Sequence, residues 1–262
     1  MTDVPFEPRL ALASLSGAAD AAWARAGAGE AGAAFLGGVA LDEPSRAAAR
    51  DLVARGRSEF LPDDPFAFVA AELDALSSVP IRPGVNVRAT TPDPIERVAS
   101  ICADRNALLE INAHCRQDEL CAVGCGESLL RDTERLVEYV DRGAAAGAET
   151  GVKVRAEVGD VDLVETVRAI EAVGASFVHV DAMDTESCIA SIAAATDLVV
   201  IANNGVRDAA TVREYVGYGA DAVSIGRPSD DPRVRERVAR AVVQAFGEAT
   251  GTPVEPSGRT GQ

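Results

Sequence analysis

Lys153 is the one lysine among the 25 basic residues of this 262-residue chain; the other 24 are arginines. It stands in Gly151-Val152-Lys153-Val154-Arg155, a segment that reads as a buried strand. Lysine is rarely buried without a partner. It offers a compact charge that its surroundings can tune, where arginine offers a wide fixed fork. Lys153 and Arg155 alternate with apolar neighbours, so both face the same side. A cation there could stabilise negative charge on a bound group, or form a Schiff base or hold a substrate phosphate. A structural ion pair with Asp181 or Glu110 is the remaining reading.

Other polar residues also fall at the ends of apolar runs. They are Ser14 with Ser16 and Gly17; Asn86 and Arg88; Asn112, His114 and Cys115; His179 and Asp181; Asn203-Asn204-Gly205; and Gly226-Arg227. A thiol placed like Cys115 can act as a general acid, and nearby cations bear on its pKa. Lys153 and Arg155, on the following strand, are expected close to it. Asp181 is the alternative acid. Cys121 and Cys125 follow Cys115 at spacings of x₅ and x₃, which match no common zinc or cluster pattern, so no metal is expected. Cys102 and Cys188 fall on expected helices and read as core, and His179 reads as packing inside the fold.

These residues need elements to hold them. Apolar runs at Arg9–Ser14, Ala33–Gly38, Gly84–Ala89, Ala107–Ala113, Gly151–Glu157, Phe177–Met183, Leu198–Asn204 and Ala222–Arg227 read as strands. Runs such as Leu198-Val199-Val200-Ile201-Ala202 lack polar alternation, as strands covered on both faces do. Helical patterns lie between them, at Glu43–Arg55, Pro65–Ser77, Pro94–Asp104, Glu127–Ala146, Asp162–Ala172, Thr185–Ala195, Asp208–Gly217 and Pro232–Ala249. Asp162 and Asp208 suit helix N-caps. Eight strands alternating with helices predict an α/β fold, a single-domain (β/α)₈ TIM barrel over residues 1–250. A doubly wound open sheet is the alternative. The turn-rich stretch 251–262 is expected to be disordered.

In such a barrel the active site lies at the strand C-termini, and the loops after strands seven and eight often bind phosphate. Asn203, Asn204, Gly205, Gly226 and Arg227 sit there. Small residues admit an anion to the backbone N–H groups, and Arg227 can add a bidentate contact.

The formal charge is −16, spread along the chain. Acidic surface, arginine in place of lysine and few aromatics resemble a halophilic composition, where net charge speaks for solubility. It weighs against nucleic-acid binding, which needs a basic stripe. The first nine residues lack an apolar signal region, and no run approaches the ~18 apolar residues of a membrane span. Five cysteines fit a reducing cytoplasm better than a disulfide framework. Oligomeric state is left open by the sequence.

Taken together, the motifs resemble the flavin-dependent tRNA-dihydrouridine synthases over about residues 9–228. Leu109-Glu110-Ile111-Asn112-Ala113-His114-Cys115 resembles their Asn-x-x-Cys strand end, and Val123-Gly124-Cys125-Gly126 their glycine-rich segment. Lys153-Val154-Arg155 is similar to their Lys-x-Arg strand, and Ala202-Asn203-Asn204-Gly205 with Ser224-Ile225-Gly226-Arg227 to their phosphate end. The resemblance implies bound FMN, with Lys153 and Asn86 at the flavin ring. Asn203, Gly205, Gly226 and Arg227 would lie at its phosphate. It implies Cys115 as proton donor, Asn112 beside it, and a CH–CH or C=C bond of a pyrimidine-like ring as substrate. Arg116 stands where the family has proline, and Asp181 where it has histidine. The chain is expected to be a barrel-only relative, lacking the helical domain that grips tRNA. A small-molecule or nucleoside-like substrate is therefore expected ahead of tRNA, and a non-redox or non-catalytic phosphate-binding barrel is the alternative.

Overall fold

The computed structural model describes residues 3–249. Eight strands run in chain order: β1 (Leu10–Leu12), β2 (Ala33–Ala40), β3 (Arg82–Arg88), β4 (Leu108–Asn112), β5 (Glu149–Arg155), β6 (Phe177–Asp181), β7 (Val199–Asn203) and β8 (Ala222–Ile225). Each pairs in parallel with the next, and β8 returns to β1 through Ala11 and Ser224. That closure rules out the open sheet and makes the fold a (β/α)₈ barrel. The stretch expected to be disordered lies outside the described residues.

The helices are α1 (Ala21–Ala26), α2 (Glu43–Ala54), α3 (Pro65–Asp74), α4 (Asp93–Ala103), α5 (Asp118–Ala122), α6 (Glu127–Arg131), α7 (Thr133–Ala145), α8 (Leu163–Ala172), α9 (Cys188–Ala193), α10 (Ala209–Gly217) and α11 (Pro232–Ala249). Three differ from expectation. The short helices α1 and α5 carry too few turns to show an apolar period. The expected helix over Glu127–Ala146 is broken at Asp132, whose carboxylate caps α7 by accepting from Arg135 N–H. Asp162 and Asp208 cap α8 and α10 as expected. Asp42 caps α2, and its second oxygen accepts from the N–H and hydroxyl of Thr90, tying the end of β2 to the loop after β3.

The strands bury both faces. Outward residues such as Val152, Val154, Val178 and Val180 join the helices in the main core. Inward residues Ala33, Phe35, Leu108, Phe177, Val199 and Ile201 fill the lower half of the barrel, and Val4 and Phe6 join them there. The two phenyl rings, 5.6 Å apart, need room that glycine supplies. A Cβ on Gly84 would come within 2.7 Å of the Phe35 ring, and one on Gly151 within 2.4 Å of Phe177. The floor of the barrel is thus apolar. The next inward residues, toward the strand C-termini, are polar.

Among the described residues no helix is long and apolar enough to cross a membrane. All five cysteines are free.

Candidate active site at the barrel mouth

Strand register sets the site. Asn112 pairs with Lys153, Lys153 with His179, Arg155 with Asp181, Asp181 with Asn203, and Asn203 with Ser224. Side chains on neighbouring strands at matched register point the same way, so these residues converge inside the barrel. Asn86, Glu110 and His179 are fully buried, and Asn112 and Lys153 are nearly so.

Buried polar groups must satisfy one another, and here they form one chain of hydrogen bonds. Asn112 Oδ1 accepts from the backbone N–H of Cys115 at 3.2 Å and of His114 at 3.4 Å. Asn112 Nδ2 donates to Asn86 Oδ1 at 2.8 Å, and Asn86 Nδ2 donates to Glu110 Oε1 at 2.7 Å. Glu110 Oε2 meets His179 Nδ1 at 2.5 Å. His179 Nε2 lies 2.7 Å from Ser224 Oγ, which is 2.9 Å from the side-chain oxygen assigned to Asn203. Ser224, His179 and Glu110 have the connectivity of a nucleophilic triad. All three are fully buried, so the serine is a link in the chain rather than a nucleophile open to substrate.

Lys153 has charge partners but no carboxylate of its own. Both oxygens of Glu110 are engaged by Asn86 and His179. Those of Asp181 are engaged by Asn204 at 2.8 Å and Arg155 at 3.3 Å. Burial pushes the Lys153 amine below its ordinary pKa, while Glu110 and Asp181 pull it back up. Burial works to raise Glu110, but His179, Lys153 and Asn86 together hold its carboxyl below the usual range. Burial and Lys153 both push His179 down. Burial, then Lys153, His179, Arg88 and Arg155, push His114 well below an ordinary histidine.

The sequence expectation brings Lys153 and Arg155 close to Cys115. In the structure Arg155 Nε donates to the His114 carbonyl, one peptide bond from Cys115, at 3.4 Å. Cys115 lies near Arg88 and Cys125 and packs with Ala48, Leu52 and Leu120. The Asn112 side-chain oxygen gathers the N–H groups of both His114 and Cys115, which fixes the turn after β4. Ser14 is half-buried past the end of β1, and two residues on the Ser16 hydroxyl accepts from Arg88 Nη2 at 2.6 Å. Arg88 also pairs with Glu59 at 2.7 Å.

Three nitrogens around the mouth are buried without a hydrogen-bond partner among the described residues: His114 Nδ1, Arg88 Nε and Arg155 Nη1. At the ends of β7 and β8, a Cβ on Gly205 or Gly226 would find no atom within 4 Å. Arg227 is exposed beside them. A ligand with an anionic tail and hydrogen-bonding edges fits this set of donors, and FMN is such a ligand. No group of three His, Cys, Asp or Glu side chains among the described residues could hold a metal ion. Two surface clefts lie elsewhere: one of about 600 Å³ beside Phe6, Arg82 and Arg105, the other of about 470 Å³ beside Asp162 and Cys188. Neither contains the converging strand ends, so the chemistry is argued from the mouth.

Sequence reasoning passed over Ser224 and took Glu110 only as an ion-pair partner. The signal was present, a carboxylate in the middle of Leu109-Glu110-Ile111 and a hydroxyl inside Val223-Ser224-Ile225.

No family model matches the chain. An uncharacterized protein of Methanocaldococcus jannaschii is 25% identical over 233 residues, covering 85% of this chain and 89% of that protein. A FabK mutant from Thermotoga maritima superposes with a TM-score of 0.55 at 16% identity over 84% of this chain; the match spans 61% of the FabK chain. Tryptophan synthase from M. tuberculosis superposes with a TM-score of 0.54 at 18% identity, covering 89% of this chain and 92% of that one. At these identities the structural likeness is one of fold. The chain is a TIM barrel with enzymes among its structural neighbours.

Proposed function

We propose that the barrel mouth binds FMN and that the protein is a flavin-dependent oxidoreductase of the CH–CH class. The motifs relate it to the tRNA-dihydrouridine synthases, and a pyrimidine-like, nucleoside-like small molecule is the substrate. One combination of observations carries this reading. Lys153 is buried with every nearby carboxylate oxygen committed elsewhere, and the two strand-end glycines leave open space for a phosphate.

Bound FMN would supply hydride transfer to or from one carbon of the substrate. Lys153 and Asn86 would hold its ring, and Lys153 would stabilise negative charge there. Gly205, Gly226 and Arg227 would hold its phosphate, with Ser14, Arg155, Asn203 and Asn204 lining the path between. Cys115 would carry the proton for the neighbouring substrate carbon, oriented through Asn112, and Asp181 is the alternative acid. The net charge of −16 favours a small substrate over tRNA. Five free thiols suit a reducing cytoplasm.

The absorption spectrum of the purified protein tests this reading. Flavin bands at about one equivalent per chain are expected. A colourless protein that takes up no FMN at high salt would overturn it. The second reading is a non-redox barrel in which Lys153 forms a Schiff base, favoured by the lowered pKa of its amine. Borohydride trapping of a carbonyl substrate on Lys153 would support that alternative.

A further inference from the structure

Ser224 poses a proton-counting problem. Its hydroxyl carries one hydrogen, yet two acceptors face it: His179 Nε2 at 2.7 Å and the Asn203 amide oxygen at 2.9 Å. Either His179 presents an N–H at Nε2, as an imidazolium or beside a protonated Glu110, or the Asn203 amide is turned by 180°. That turn leaves every heavy atom in place.

Charge balance decides between them. His179 faces Glu110 on β4, Lys153 on β5 and Asp181 at the end of its own strand, with the Phe35 ring 5.5 Å away on β2. Arg155 neutralises Asp181, and Lys153 offsets Glu110. Arg155 is shared with Glu157 at 3.7 Å, which Arg116 offsets at the same distance, so three carboxylates balance three cations. A further positive charge on His179, or a neutral Glu110 beside Lys153, would leave this buried space unbalanced. Burial and Lys153 favour the neutral ring as well.

An ionised carboxylate can only accept hydrogen bonds. His179 must then present Nδ1–H to Glu110, which leaves Nε2 as an acceptor. Ser224 must donate to Nε2 and accept from the Asn203 amide nitrogen. Asn203 is left with its oxygen turned away from Ser224. On the other arm, Asn86 must present its nitrogen to Glu110, so its oxygen takes the Asn112 proton. Asn112 then offers its own oxygen to the N–H groups of His114 and Cys115.

We propose that Glu110 is the positioning residue of the mouth: it fixes the direction of both hydrogen-bond arms, so that Asn203 offers an oxygen, not an N–H, to the ligand. This rests on reading the mouth as the FMN site. It also refines that reading. An amide oxygen accepts from a hydroxyl or an N–H and is repelled by phosphate, which leaves the phosphate to Gly205, Gly226 and Arg227.

The experiment uses nitrogen-15 NMR of the histidine rings in flavin-free protein. The chain has only two histidines, and His114→Asn assigns them. At neutral pH, His179 is expected as the neutral Nδ1–H form. In Glu110→Gln the side-chain amide gives its oxygen to Asn86 and its N–H to His179 Nδ1, so the ring should invert to Nε2–H. Amide exchange at Cys115 should stay unchanged, because that arm is kept. Affinity for added FMN should fall about tenfold, the worth of one lost hydrogen bond. An imidazolium or Nε2–H ring in the wild type would overturn the proposal, and so would an unchanged ring in the variant. An inverted ring with unchanged FMN affinity would overturn the assignment of the Asn203 oxygen to the ligand. Should Glu110→Gln not fold, the wild-type ring still decides. If neither protein binds FMN, the flavin reading fails, while the direction set by Glu110 is judged on the ring alone.

Discussion

The guanidinium of Arg88 and the carboxylate of Glu59 meet at 2.7 Å with 3% and 2% of their side chains exposed. Arg88 ends β3, and Glu59 belongs to the segment between α2 and α3. A Cβ on Gly17 would touch the backbone of Ser58 and Glu59 at 2.6 Å, so the same segment also lies against the loop after β1. A buried pair therefore fastens this segment at the rim of the mouth.

Removing one partner of a buried pair leaves the other charge uncompensated. Glu59→Ala should lower stability by about 3–5 kcal/mol in chemical denaturation. The effect should persist in molar salt, because ions screen buried pairs poorly. Glu96→Ala removes a half-exposed partner of Arg142 and should cost less than about 1 kcal/mol, shrinking as salt rises. A salt-sensitive Glu59 variant would show that the segment lifts away in solution.

Lys153→Met should lower the reduction potential of bound FMN and slow its reduction. Lys153→Arg should restore only part, because the fork cannot occupy the same point. Titration of the potential with reference dyes checks this. An unchanged potential in the Met variant would make the lysine structural.

Cys115→Ala should leave FMN bound and reduce substrate turnover by ~10²–10⁴-fold, the usual worth of a general acid. Cys125→Ala should affect stability more than turnover, since its thiol is buried against the Ala89 carbonyl. Asp181→Asn belongs in the same series, with one reservation built into the geometry. It removes the charge facing Arg155 and leaves one accepting oxygen for both Arg155 and Asn204, so FMN binding must be measured beside turnover. A dead Asp181→Asn that still binds FMN, beside an active Cys115→Ala, would move the proton to Asp181.

His114 supplies a stability-versus-pH prediction. Its folded pKa lies well below the 6.5 of a free histidine, through burial first and the surrounding cations second. Below pH 6.5 the unfolded chain takes up a proton that the folded chain refuses. Stability is therefore lost as pH falls from 6.5 toward the folded value, by up to about 1.4 kcal/mol per pH unit for this group. His114→Asn should flatten that slope in denaturation series between pH 7.5 and 5.5. An identical slope in the variant would mean the ring charges freely in the folded protein.

The fold was legible because strands covered on both faces leave long apolar runs, and the turns between them are marked by Asp, Gly and Pro. Lys153, Arg155, Asn86 and Asn112 were legible as polar interruptions at the ends of those runs. The wiring between them was not. It depends on register, which matches Lys153 to His179 and Asn203 to Ser224 across strands far apart in sequence. The contacts of Cys115 with Arg88 and Cys125 were not legible either, for a related reason. Nothing in a linear spacing tells that Asn112 would gather two N–H groups and turn the chain between His114 and Cys115.

The phenyl floor has one more consequence. Phe35 and Phe177, with Phe6 packed among the same apolar side chains, fill the lower half of the barrel. Apolar side chains relay no protons, so the hydrogen bonds of Glu110 and His179 run sideways and toward the mouth. A ligand in the mouth, as proposed above, would then cover the route by which these two groups exchange protons with water.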